Sequence, residues 1–386
     1  MIKVLVTGRD LRQRRREMIL NSPEGVEFKT LQSLTKMAPD HELSKTPERK
    51  KGWRDWVRDV VYKLHVPNIR YLSPRYLKNC DLVYTPGQML LNNFPYIIEV
   101  DNVAALGFYD LNTIYQRAGL IKRFLKSPWC KFLVSFSEAG RKSLINTYPD
   151  LEIVAKSRVV YPYVKLNIYP QKQHDKLIIL SANTKFYMKG TREVLEAFEV
   201  LQKKYNNLEL WVVSNTPREY LEKYKGFSDI KFFPAKFSKE ELYRDFYSQC
   251  DIFIQPSYQD TFGMTYLEVA ASGKPIVSTD IFGLPEIVID GYNGFLIKSP
   301  VYMCNPDYTL KPEYFPMPVL DTENEFYKKL DCQKVVPALI EKTSLLIENL
   351  NLRKRMGENS LELVKTKFSD EKRKKQLLEI FQSALA

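Results

Sequence analysis

The stretch richest in chemistry runs from Pro256 to Val277. A short apolar run, Ile252-Phe253-Ile254, predicts a buried strand that ends in a loop carrying Asp260. Thr261 and Phe262 lead from that loop into a helix beginning near Gly263. In open α/β sheets, ligands bind outside the carboxyl ends of the strands, which is where this loop falls. The backbone N–H groups of Gly263 and Met264, at a helix N-terminus, suit phosphate oxygens. Glu268 follows Asp260 by eight residues, about two turns into the helix. One carboxylate at the mouth and one along the helix suit the two ends of a sugar nucleotide, whose hydroxyls they can accept from. Either acid alone is more often a cap or a solvated side chain. The whole string carries the reading.

The elements that must position these residues follow from hydrophobic periodicity. Short β-branched runs alternate with longer amphipathic stretches, as parallel sheets with crossover helices require. The first half offers Val4-Leu5-Val6, Leu82-Val83-Tyr84, Ile97 to Val100, Phe132-Leu133-Val134 and Val159-Val160-Tyr161. The second offers Leu177 to Leu180, Leu210 to Val213, Ile230 to Phe233, Ile252-Phe253-Ile254 and Ile276-Val277-Ser278. Helical spacing is clearest at Val194, Leu195, Phe198 and Leu201, in a stretch opening at Thr191. Two successive βα series predict an α/β chain of two doubly wound, Rossmann-like domains, 1–165 and 166–370. The seam falls between Tyr161 and Gln171. Pro300, Pro306, Pro312, Pro316 and Pro318 mark a surface excursion. Residues 335–385 read as helical, with a break at Phe368-Ser369-Asp370.

Taken in order, these features resemble family-four retaining glycosyltransferases. The family's Pro-Ser-x-x-Glu-x-Phe-Gly-x-x-x-x-Glu-Ala signature spans Pro256 to Val269, with Asp260 where the first Glu is usual. The Met188-Lys189-Gly190 turn, Phe282-Gly283-Leu284-Pro285-Glu286 and Gly291 to Leu296 match in order and spacing. The resemblance is best from Leu177 to Ile297. It implies the GT-B fold, two Rossmann-like domains facing a cleft, with the helix 371–386 returning to an acceptor-binding first domain. It implies a nucleoside-diphosphate sugar (UDP or GDP) as substrate, no cofactor, and a glycan or lipid-linked acceptor in cell-surface glycan assembly. Under it, Glu268 accepts from the ribose hydroxyls, and Lys189 pairs with the donor diphosphate. The amides of Gly263 and Met264, beside Thr261 and Phe262, hold the same diphosphate, while Asp260 faces the sugar. Asn183-Thr184 stand where the family places Gly-Arg, and the adjacent Lys185 is left to supply that charge without an arginine's fork.

No Asp-x-Asp occurs, which argues against a manganese-dependent arrangement. The nearest substitute is Glu99-Val100-Asp101, whose two acids share one face of a strand. The resemblance puts this strand end on the acceptor side, where Asp101 orients or deprotonates the acceptor hydroxyl. A plain Asp-Asn turn is the equal alternative. Arg9 and Arg12, just after the first strand, are assigned to a phosphate on the acceptor; Arg14 to Arg16 read as solvated surface.

Composition narrows the classes. In 386 residues, 44% hydrophobic, there is material for two cores and none of the bias of a disordered chain. Five scattered cysteines and three histidines disfavour a disulfide framework or a histidine-rich metal site. The strand pattern starting at Ile2 leaves no signal peptide, and a cytoplasmic protein is expected. A net charge of +12 asks for a polyanionic partner. The tyrosines follow no RNA-binding string, so nucleic acid is not expected, although a basic nucleic-acid-binding protein remains a lesser alternative. A sugar-nucleotide epimerase on the same fold is the other. Between Lys50 and Leu64, Trp53, Trp56, Val57, Val60, Val61 and Leu64 share one helical face with basic flanks. That stripe either packs into the core or lies on an anionic membrane surface, making the protein peripheral to the membrane.

Overall fold

A computed structural model describes residues 1–8, 13–31, 60–166, 169–314, 325–331 and 333–386. The chain divides into two compact units. One comprises Met1–Tyr163, Met303–Val319 and Asp370–Ala386; the other comprises Val164–Tyr302 and Leu320–Ser369.

The first unit is built on β1 (Ile2–Val6), β2 (Val26–Thr30), β4 (Leu82–Pro86), β6 (Tyr96–Val100), β7 (Cys130–Ser135) and β8 (Ser157–Val159). They form one parallel sheet in the order β2-β1-β4-β6-β7-β8, with β3 (Ile69–Arg70) and β5 (Met89–Leu90) paired apart from it. The β2 strand is absent from the sequence expectation. Its Val-Glu-Phe-Lys-Thr alternation reflects an edge strand mostly half-buried, which a search for apolar runs passes over. The last strand ends at Val159, short of the expected Tyr161, although the Val160 amide still donates to the Ser135 carbonyl at 2.9 Å.

The helix Asp370–Leu385 lays Leu377, Phe381 and Ala384 into the core made by Val4, Val6, Tyr84 and Ile97. The Phe381 ring meets Phe28 and Tyr84 edge-on, with centroids 5.9 and 6.2 Å away. The proline-rich stretch also joins this unit. Tyr115 donates to the Leu310 carbonyl at 3.0 Å, and the Asn146 amide donates to Asp307 O at 2.6 Å. Expected to break once, residues 335–385 break twice, giving helices Val335–Glu348, Leu350–Lys367 and Asp370–Leu385. At the unforeseen break, Asn349 caps by accepting from the Leu352 amide at 2.9 Å.

The second unit holds β9 (Leu177–Ala182), β10 (Leu208–Val213), β11 (Ile230–Phe233), β12 (Ile252–Gln255), β13 (Ile276–Thr279) and β14 (Gly294–Ile297). All pair in parallel, in the order β11-β10-β9-β12-β13-β14. The order reverses between β9 and β12, the point at which doubly wound sheets open a crevice. Helix Thr191–Lys204 buries Val194, Leu195, Phe198 and Leu201, and Gly190 enters it in the left-handed region at φ 70°.

One correction concerns the arginine run. Rather than a solvated surface residue, Arg15 is 8% exposed and donates through Nε to Glu99 Oε1 at 2.6 Å. The other oxygen, Oε2, accepts from the Tyr84 hydroxyl at 2.8 Å. Burial opposes the Arg15 charge, but Glu99 outweighs it and raises the guanidinium above its ordinary value. Breaking a buried pair strands a charge, so Arg15→Leu is expected to cost roughly 3–5 kcal/mol in chemical denaturation. Arg15→Leu/Glu99→Gln removes both charges and keeps an acceptor for Tyr84, so it costs less. Equal losses for the single and double variants would show that the pair is uncoupled.

Candidate functional site

The loops after β9 and β12 leave the sheet on either side of the reversal, and both carry charge. Residues 185–191 form a tight turn: the Lys189 amide donates to the Lys185 carbonyl at 3.0 Å, and that of Thr191 to Phe186 at 3.0 Å. Gly190 ends the turn because a side chain there would meet the Pro256 carbonyl oxygen, besides being strained at this φ. The close approach aims Lys189 across to the second loop. Its ammonium donates to Asp260 Oδ2 at 2.7 Å and to the Gln259 carbonyl at 2.8 Å. Both side chains are mostly covered, at 16% and 19% exposure. Asp260 Oδ1 takes the Phe262 amide at 3.3 Å, which turns the chain into helix Met264–Ala270.

That helix opens at Gly263, at φ 95°, and no side chain caps it. The Tyr266 and Leu267 amides donate to the Gly263 carbonyl at 3.1 and 3.2 Å, and the amides of Met264 and Thr265 precede the first intrahelical bond. The backbone must pass close here: a methyl on Gly263 would come within 2.5 Å of Leu284, and one on Gly283 within 2.6 Å of Thr261 O. Glu268, one turn further, is 8% exposed. Its Oε1 lies 3.3 Å from the Lys239 ammonium, and Tyr247 hydrogen-bonds the same carboxylate. Burial and this neighbouring charge push the Tyr247 phenol well up, so it stays protonated and donates.

The sequence-derived residues thus fall in several places. In the second unit Lys189 meets Asp260, and Thr261, Phe262, Gly263, Met264 and Glu268 follow along the same loop and helix. Lys185 is exposed on the same turn as Lys189. Asn183, where the family has its glycine-arginine pair, donates to Thr191 Oγ1 at 2.8 Å and accepts from Ser214 at 3.0 Å. It braces the turn and carries no charge. Asp101 belongs to the first unit. It is 5% exposed, accepting from Tyr109 at 2.7 Å and from the Asn102 amide at 3.0 Å. Its strand neighbour Glu99 is taken up by Arg15 and Tyr84, so the two acids do not form a metal pair. Among the described residues, no group of three or more His, Cys, Asp or Glu side chains could hold a metal ion. Arg9 and Arg12 lie outside the described residues, as does most of the 50–64 stripe. Of its remainder, Val60 and Val61 are half-buried, and Leu64 is 57% exposed.

Three contributors escaped the sequence reading. Lys239 and Tyr247 face Glu268 from another element. Tyr327 donates to Gln259 Oε1 at 2.7 Å and stacks on Tyr258 with centroids 6.3 Å apart, bracing the Asp260 loop. The four-residue steps from Lys239 through Tyr243 to Tyr247 are a helical stripe that inspection could have flagged.

The two parallel six-stranded sheets define an α/β protein of the GT-B class, and the crevice residues lie in its second Rossmann-like unit. Residues 168–303 match the family described as glycosyl transferases group 1, and this stretch is a group 1 glycosyltransferase domain. An uncharacterized glycosyltransferase of Methanocaldococcus jannaschii is 33% identical over 170 residues, 44% of this chain and 35% of that protein. The lipopolysaccharide glucosyltransferase WaaG of Escherichia coli is 27% identical over 161 residues, 40% of this chain and 41% of that protein. The chain therefore spans well under half the length of these relatives. In fold, it resembles the Anabaena protein HepE solved with UDP and glucose: TM-score 0.58, 14% identity, 99% of this chain and 100% of that one.

The close approach at Gly190 is testable. Gly190→Ala forces a methyl toward the Pro256 carbonyl at a left-handed φ, so it should lower stability by more than about 1 kcal/mol. Thermal and denaturant melts check it; an unchanged midpoint would show that the turn relaxes freely.

Proposed function

We propose that this chain is a retaining glycosyltransferase that moves a sugar from UDP or GDP to a glycan or lipid-linked acceptor, without a metal. In this reading residues 166–370 bind the donor, while residues 1–165 with the helix 371–386 bind the acceptor. The observation that carries it is the Lys189 ammonium set against Asp260 at the strand-order reversal, beside an uncapped helix N-terminus, with Glu268 buried one turn on. Transfer leaves charge on the departing diphosphate as the anomeric carbon becomes cationic. A preorganised ammonium and aligned amides oppose that charge at the moment it develops. Glu268 accepts from the ribose hydroxyls, a charge-assisted contact. Asp260 faces the sugar, with Lys185 as a second cation toward the diphosphate. On the acceptor side, Asp101 orients the hydroxyl through its hydrogen-bonded position, and Arg9 and Arg12 hold an acceptor phosphate.

The donor half is tested first. Calorimetry with UDP and GDP should show binding of one of them, weakened in Glu268→Ala by about tenfold or more, as loss of a charged hydrogen bond implies. Lys189→Ala should depress turnover by roughly 10²–10³, the order seen when one preorganised donor is removed. Activity abolished by EDTA, or a product inverted at the anomeric carbon, would overturn metal-independent retention. Isomerised donor in place of transfer would point to an epimerase.

The same proposal places the protein in the cytoplasm, on the inner face of the membrane, in cell-surface glycan assembly. Its support is the apolar and basic stripe 50–64 and the exposed Leu64. No described helix is long and apolar enough to cross a membrane. Wild type should sediment with anionic but not neutral liposomes at low salt, and Trp53→Asp/Trp56→Asp should not. Equal behaviour of the two proteins would detach the stripe from membranes.

A further inference from the structure

The segment facing Glu268 has an unusual build. Ser238 and Glu241 form a capping box: the Ser238 amide donates to Glu241 Oε2 at 2.7 Å, and the Glu241 amide donates back to Ser238 Oγ at 3.3 Å. This fixes Lys239 as the first residue of the turn Lys239–Glu241. The chain then widens into a π-helical turn, Leu242–Tyr247, a form concentrated at functional positions. The result is one face bearing Lys239, Tyr243 and Tyr247. The Lys239 ammonium sits 5.9 Å from the Tyr243 ring centroid, and the Tyr243 and Tyr247 rings meet edge-on at 5.4 Å. Tyr243 and Tyr247 are buried, whereas the Lys239 side chain keeps 23% of its surface. Of Lys239 and Tyr247, which both meet Glu268, it is the ammonium side chain that keeps solvent exposure.

We infer that Lys239 is a specificity-determining residue that reads the ribose of the nucleotide together with Glu268. This rests on the proposed role of Glu268. A ribose hydroxyl both donates one proton and accepts through its oxygen, an ionised carboxylate only accepts, and an ammonium only donates. With its Nζ 3.3 Å from Glu268 Oε1, Lys239 is placed to donate to the hydroxyl whose proton Glu268 receives. Each hydroxyl sense then has a partner. Before the nucleotide arrives, the two side chains satisfy each other, so neither charge is stranded. Tyr247 holds the carboxylate from the buried side and keeps it facing Lys239. A sugar lacking that hydroxyl covers the pair without satisfying it, and sites built this way reject such analogues.

The test is calorimetry of the full chain with UDP and GDP and with their 2′-deoxy and 3′-deoxy forms. Wild type should bind the ribonucleotide at least about tenfold more tightly than one of the deoxy forms, as expected for a hydrogen bond to a charged group. In Lys239→Met the ribonucleotide should weaken by about tenfold while that deoxy form changes little, so the ratio collapses. Lys239→Gln, which keeps a donor and the chain length, should recover part of the ratio, and it serves if the Met variant is unstable. Equal weakening of ribo and deoxy forms would reduce Lys239 to a general attraction for the diphosphate and overturn the inference. Tighter binding by Lys239→Met would make it a competitor for Glu268 and overturn it likewise. If wild type binds neither UDP nor GDP, the donor reading itself fails, together with what rests on it.

Discussion

The candidate site depends on one topological constraint, the reversal of strand order between β9 and β12. Right-handed crossovers send the chain one way from β9 through β10 to β11, and the other way from β12 through β13 to β14. The loops after β9 and β12 must therefore part, because each feeds a helix on the opposite face of the sheet. A crevice opens where they part, and two short segments line it, one with Lys189 and one with Asp260. The glycines follow from the same constraint. Gly190 and Gly263 stand where the two loops turn into their helices, both at positive φ, both pressed against neighbouring atoms. A side chain at either would push a loop off its partner.

Charge in the crevice is arranged in pairs that can change partners. Lys189 rests on Asp260 and the Gln259 carbonyl, and Lys239 rests on Glu268. Neither pair is sealed: each cation keeps part of its surface in solvent while the acids are more covered or comparably so. A fully buried pair such as Arg15 and Glu99 in the first unit has a different character. There the Arg15 guanidinium and the Tyr84 hydroxyl each hold one oxygen of the buried Glu99 carboxylate, and desolvation opposes exchange. The contrast separates a pair that stabilises the first sheet from pairs open to a polyanion.

The sequence disclosed what is local. Ile252 to Gln255 followed by a polar loop and an apolar-periodic helix is legible, because strand, loop and cap lie within one short window. The start of the helix at Thr191 is legible for the same reason. What stayed hidden depends on partners distant along the chain. Glu268 is legible as one acid of the Pro256–Val269 string, but its partners Lys239 and Tyr247 are not until their turn is folded against it. Arg15 reads as solvated because a run of arginines after a strand is mostly surface; only the register of β4 beside β6 brings Glu99 and Tyr84 beneath it. The edge strand β2 hid behind its alternating polar residues. Asp101 was visible as a strand-ending acid, but its cover by Tyr109 was not.

The departures from the family pattern bear on one another. Asp260 is shorter than the usual glutamate by one methylene, so its reach across the crevice depends on where the loop is held. Tyr327 grips Gln259 and stacks on Tyr258, and Arg192 in turn donates to the carbonyls of Lys328 and Leu330, just after Tyr327. The segment that follows the proline-rich stretch thus acts as a brace on the Asp260 loop. On the facing side, Thr184 stands where the family has its charged fork, while Asn183, at the glycine's place, is a hydrogen-bonded strut between Thr191 and Ser214 that stiffens the Lys189 turn. Both changes trade reach and charge for rigidity. Under the proposed donor role, a lysine held in place by Asp260 at 2.7 Å is positioned in advance for a diphosphate that takes over the ion pair, and position held in advance is what opposes developing charge where the family's arginine is missing.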